Sequence, residues 1–93
     1  MNHLVLSVQL LERRAIRYTP AGLAALDLVL GHESQASEAG QPRKVSLELR
    51  GVAIGDIAQA LVQQAVGSSF QAAGFLSAQR NGRGIVFHIT QVH

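Results

Sequence analysis

The chain has 93 residues, 15% of them charged, with a net charge of +2 and no cysteine. That length allows one modest core, burying roughly 60–65% of the extended chain's surface, and the missing thiols exclude disulfides, cysteine nucleophiles and cysteine-ligated zinc. All six acids lie at or before Asp56, whereas the stretch from Ile57 onward carries Arg80 and Arg83 and no acid; with an isoelectric point of about 9.9, this points to an anionic partner.

The first apolar run, Leu4 to Leu11, is far shorter than the about 20 residues that a membrane helix needs. Met1-Asn2-His3 lacks the basic start of a signal peptide, so a soluble cytoplasmic protein is expected. Leu4, Leu6, Val8 and Leu10 recur at period two against Ser7 and Gln9, which reads as a strand. An amphipathic helix is the competing reading. The turn Arg17-Tyr18-Thr19-Pro20-Ala21-Gly22 decides for the strand: Pro20 presets φ for a chain reversal and Gly22 adopts positive φ freely. A second strand follows over Leu23 to Leu30, with Leu26, Leu28 and Leu30 toward the core and Ala25, Asp27 and Val29 outside. Arg13, Arg14, Arg17 and Tyr18 enter the turn, gathering cationic and aromatic groups at one end of the β structure as a candidate binding surface. Tyr18 either packs over the hairpin or contacts a base or partner.

From Gly31 to Pro42 no apolar period survives, and the Gly, Ser and Pro content predicts a long flexible loop. Val45, Leu47 and Leu49 then alternate with Lys44, Ser46, Glu48 and Arg50, a half-buried third strand. Asp56 as N-cap predicts a helix with Ile57, Leu61 and Ala65 on one face and Gly67 at its C′ position. Phe70 to Gln79 and Ile85 to Val92 complete the chain as a hairpin around Arg80-Asn81-Gly82-Arg83-Gly84, Asn-Gly being a strong hairpin signal. Gly74 inside the fourth strand predicts a bulge or sharp bend. Phe70 and Phe87 are expected in the core or at a dimer interface, and Phe75 is the phenylalanine expected to face outward.

Three strands, a helix and two more strands form an all-β pattern, a five-stranded OB-fold barrel with one helix between strands 3 and 4, in one domain over residues 1–93. The four histidines have no spacing that sets two ligands on one element, and no nucleophile–base or paired-carboxylate arrangement stands out. A protein without metal, cofactor or enzymatic activity is expected.

Leu4-Val5-Leu6-Ser7, the Arg17 to Gly22 turn, Leu28-Val29-Leu30-Gly31-His32, Glu38-Ala39-Gly40 and Gly74-Phe75-Leu76-Ser77, in that order, resemble the bacterial single-stranded-DNA-binding protein family over nearly the whole chain. The short length and the Glu-Ala-Gly segment resemble its replication-restart branch. The resemblance implies a homodimer that binds single-stranded DNA and bridges the primosomal helicase PriA and the loader partner DnaT at stalled forks. It also implies basic residues on the last hairpin loop, matched by Arg80 and Arg83, and one after the long segment, matched by Arg43.

With Lys44 and Arg50 these cations form the expected electrostatic groove, and Arg17, Tyr18 and Phe75 complete the candidate nucleic-acid-binding set. The family's stacking aromatics on the third strand and in the preceding loop are replaced by residues such as Gln41 and Ser46. Base stacking contributes about 1–3 kcal/mol per base, so weak, salt-dependent and sequence-indifferent binding is expected. The alternative is an interaction adaptor of the same fold, in which replication proteins are the main partners.

Overall fold

The turn predicted at Pro20 and Gly22 forms as read. In the structure, a computed structural model that describes residues 1–80 and 82–93, the Gly22 N–H donates to the Thr19 carbonyl at 2.8 Å, and Gly22 takes φ 84°. The Thr19 hydroxyl accepts from the Leu23 N–H at 3.1 Å and locks the reversal. On its two sides stand the short strand β2 (Arg17–Tyr18) and the long strand β3 (Ala24–Glu38). The remaining elements are β1 (Leu4–Arg13), β4 (Gln41–Ile54), α1 (Asp56–Leu61), β5 (Ser69–Ala78) and β6 (Ile85–Val92).

The strands order as β1-β5-β6-β4-β3-β2, and β1 also pairs with β3, which closes a five-stranded barrel. One strand serves both edges because it changes partner along its length. Leu4–Gln9 pairs with β5; from Gln9 onward β1 pairs with β3, with a register shift between Leu10 and Glu12. Among the described residues all pairings are antiparallel except the short parallel contact of Gly51 and Val52 with Phe87 and His88. This is the OB-fold read from the sequence.

The interior follows the period-two reading. Val8, Leu10, Leu26, Leu28, Leu30, Phe87 and Ile89 are buried, and Ala58 and Leu61 of α1 pack against the same core. Phe87 is therefore a core residue, and Phe70 packs half-buried on its margin. Leu4 and Leu6 are also half-buried. Ala25, expected outside, is buried: its single methyl lies between the ladder partners Arg17 and Ile54, whose side chains are much longer.

Gly74 does what its position suggested. A Cβ there would lie 1.8 Å from the His88 carbonyl oxygen, so β6 approaches more closely than any side chain allows. The ladder steps from Ala73↔Gln91 to Gly74↔Ile89, placing a bulge at this point. Asn81, half of the expected Asn-Gly turn, lies outside the described residues; Gly82 takes φ 74° and its N–H donates to the Gln79 carbonyl.

Two expectations are corrected. Residues 31–42 do not form a flexible loop: β3 and β4 continue in unbroken register to Glu38↔Gln41, joined by a two-residue turn at Ala39 (φ 51°) and Gly40 (φ 77°). This arm projects beyond the barrel and lengthens the molecule to 49 Å. Both its faces meet solvent, so backbone hydrogen bonds hold it and no apolar alternation is needed. Leu47, expected in the core, is 42% exposed for the same reason.

The helix is also shorter than predicted. Its N-cap is Gly55, without a side-chain capping bond; Asp56 lies in the first turn and Val62 is the C-cap. Beyond it the Gln63 and Gln64 N–H groups bond three residues back, to Ala60 and Leu61, so the last turn tightens and ends. Ala65 and Gly67 belong to the connection that follows. Among the described residues no helix is long and apolar enough to cross a membrane.

Candidate nucleic-acid interface

Alternation along β3, β4 and β6 sends one set of side chains inward and leaves the other on an outer face. There Asp27, Val29, Arg50, Val52 and His88 floor an open groove of about 590 Å³. The β1–β2 connection brings Arg14 to one rim, and the start of the β5–β6 turn brings Arg80 to another. The Arg14 N–H donates to the Asp27 carbonyl at 3.1 Å, which fixes the connection to β3. The Gln79 N–H donates to the Gly84 carbonyl at 3.1 Å and closes the turn beside Arg80.

Arg17 reaches the groove differently. Its Nε donates to Asp27 Oδ2 at 2.8 Å and its Nη2 to Oδ1 at 3.2 Å. This hydrogen bond holds the Asp27 carboxyl below the usual carboxylate value, against the opposing effect of partial burial, and raises Arg17 in return. Arg17 is thus partly neutralised, whereas Arg14, Arg50 and Arg80 have no salt-bridge partner among the described residues. Three cations from three separate elements face one channel whose floor includes the apolar Val29 and Val52.

The other candidate residues lie elsewhere. Arg43 and Lys44 are on the arm, opposite Ala36 and Gln35, and Arg43 pairs with Glu38 at 3.0 Å. At about 3.4 Å per residue they stand roughly 20 Å along β4 from Arg50. They do not line the groove that Arg50 and Arg80 share. Arg83 is exposed in the β5–β6 turn, and Tyr18 is 68% exposed on β2; neither lines the groove. Arg13 is a structural residue: its guanidinium donates to the Gln64 carbonyl and ties β1 to the segment after α1.

Phe75 faces outward as expected, and its ring stacks on His88 with centroids 4.7 Å apart and planes 7° from parallel. His88 carried no signal in the sequence beyond its place in mid-strand. Only the register Phe75↔His88, set by the Gly74 bulge, brings the two rings together.

A second hollow, about 610 Å³, lies between β1 and the arm. Glu33 and Glu48 line it and no Lys or Arg does, so it does not suit an anion. Here His32 Nδ1–H donates to the Ser7 carbonyl at 2.7 Å, and in that tautomer Nε2 accepts from the Ser34 hydroxyl at 2.8 Å.

A closed OB barrel with a cationic channel over its second and third barrel strands is the architecture of oligonucleotide-binding domains. A family model described as "another single-strand binding protein family" matches residues 2–91. "Replication restart protein PriB" of Bordetella pertussis is 46% identical over 92 residues, covering 98% of this chain and 86% of that protein. The structure of PriB from Ralstonia solanacearum superposes with a TM-score of 0.92 at 34% identity, covering 100% of this chain and 96% of that one. The single-stranded DNA binding protein from Thermus aquaticus superposes at 0.77 with 28% identity, covering 100% of this chain and 49% of that one. The chain belongs to the single-strand binding protein family, in its PriB replication-restart branch.

Proposed function

We propose that this protein binds single-stranded DNA in the groove between Arg14, Arg50 and Arg80 and acts in replication restart in the cytoplasm. The observation that carries the reading is that Arg14, Arg50 and Arg80, which form no salt bridge among the described residues, line one open channel. A single strand threading it would place phosphates against the cations and turn its bases toward Val29, Val52 and His88. With three phosphate contacts, log K should fall with log salt at a slope of about −2, or about 20-fold between about 50 and 200 mM.

The working unit in this reading is a homodimer. On the side away from β5, the Leu4–Val8 half of β1 has no strand partner among the described residues. Exposed Val5, Leu11 and Leu47 lie on or near that edge. A second β1 would complete the ladder and cover them. The restart role extends to bridging the helicase PriA and the loader DnaT. A second reading, an adaptor with little DNA binding, is favoured by exposed Gln41 and Ser46 where the family's stacking aromatics are expected.

The test is a fluorescence-anisotropy titration of labelled oligothymidine at several salt concentrations, with Arg50→Glu and Arg80→Glu. Salt-sensitive binding that the double variant loses supports the DNA reading. No binding at low salt sinks it and leaves the adaptor.

A further inference from the structure

We infer that the Phe75–His88 ring pair and the hollow beside it form a base-stacking subsite, continuous with the arginine channel. This inference rests on the proposal that the channel holds single-stranded DNA. The hollow, about 340 Å³, is lined by Val52, Ile54, Ile57, Phe75, His88 and Thr90 among others. Val52, Ile54 and His88 line the cationic groove as well, so the two depressions share a wall. An occupant spanning both meets guanidinium groups on one side and flat apolar surface on the other. Alternating phosphates and bases have that chemistry.

The geometry of the ladder supports a stacking role. Phe75 and His88 face each other across β5 and β6, with nearly parallel rings. The next position across the sheet from His88 is Val52, a short, buried side chain. The imidazole therefore stands above its β4 neighbour as the wall of a notch, and a base entering there would add a third layer to the stack. Ile54, 42% exposed, and Ile57 of α1 supply the apolar side.

Gly74 positions this platform. The bulge at Ala73/Gly74 passes over Thr90 and brings His88 opposite Phe75, and the absent Cβ lets the His88 backbone close in. Phe75 and His88 lie on the fourth and fifth barrel strands, away from the third-strand and loop positions now held by Ser46 and Gln41.

The experiment compares oligothymidine with an abasic phosphodiester of the same length, which keeps the phosphates and lacks the bases. The natural chain should bind oligothymidine at least about 5-fold more tightly. His88→Ala and Phe75→Leu should remove most of that preference, and His88→Phe should restore it. Thermal melting verifies that each variant folds; His88→Phe keeps the inference testable if Phe75→Leu does not. Equal affinity for the two oligomers, or a preference that His88→Ala leaves intact, overturns the subsite. Arg50→Glu with Arg80→Glu should weaken both oligomers alike; no loss for either overturns the channel itself, an outcome distinct from failure of the subsite.

Discussion

Neutralising Asp27 should tighten DNA binding while weakening the fold. In Asp27→Asn the bidentate contact to Arg17, at 2.8 and 3.2 Å, loses its charge. Both side chains are substantially exposed, 53% for Arg17 and 41% for Asp27, so the pair contributes only about 0.2–1 kcal/mol to stability. That loss corresponds to about 1–8 °C in Tm for a domain of this size. The gain in binding has two sources. A carboxylate about 7 Å from a bound phosphate repels it by about 0.6 kcal/mol at the dielectric of water, roughly 3-fold in Kd. Releasing Arg17 adds a fourth cation and steepens the salt slope by about 0.7. Together these give an expected gain of about 3- to 10-fold in anisotropy titrations at low salt. Unchanged or weaker binding at an unchanged slope, in a variant that folds, would refute the reasoning. The pH dependence has a definite sign. Arg17 lowers the Asp27 pKa in the folded chain, so the stabilisation is present above the unfolded value and is lost as pH falls through the folded one. Acid titration of Asp27→Asn should lack that component.

Gly74→Ala would drive a Cβ to within 1.8 Å of the His88 carbonyl, forcing β5 and β6 apart; a loss of more than about 3 kcal/mol is expected in urea unfolding. Arg43→Ala with Lys44→Ala, on the arm, should change the salt slope less than Arg50→Ala with Arg80→Ala, which should flatten it by about 1.4. An arm pair with the larger effect would move the binding site outward. Val5→Asp places a charge at the open edge of β1 and should convert a dimer to a monomer in sedimentation velocity; a dimer that persists would exclude that edge as the interface.

The barrel was legible where each strand has one wet face and one dry one. Leu26, Leu28 and Leu30 announce β3 by period alone, Pro20 and Gly22 announce the turn, and Gly74 announces the bulge because only glycine admits the His88 backbone. The arm was not legible because residues 33–44 are wet on both faces, and its ladder leaves no trace in the side chains. The early end of α1 has no side-chain signature because Ala65 and Gly67 continue the helical spacing, while the backbone bonds after Val62 have already tightened.

For the candidate interface, the sequence identified the residue types but not their grouping. Arg50 and Arg43 are close in sequence, yet the extended strand carries them far apart, while Arg14 and Arg80, distant in sequence, line the same groove. The partnership of Phe75 with His88 depends on a register that no local pattern encodes.

Titrating the isotope-labelled chain with oligothymidine and following its backbone amide resonances tests the central claim most directly. Shifts concentrated at Arg14, Arg17, Val29, Arg50–Ile54, Arg80 and His88, with residues 35–44 unmoved, are the expected result. Shifts confined to the arm, or none at saturating DNA, would contradict binding in the channel.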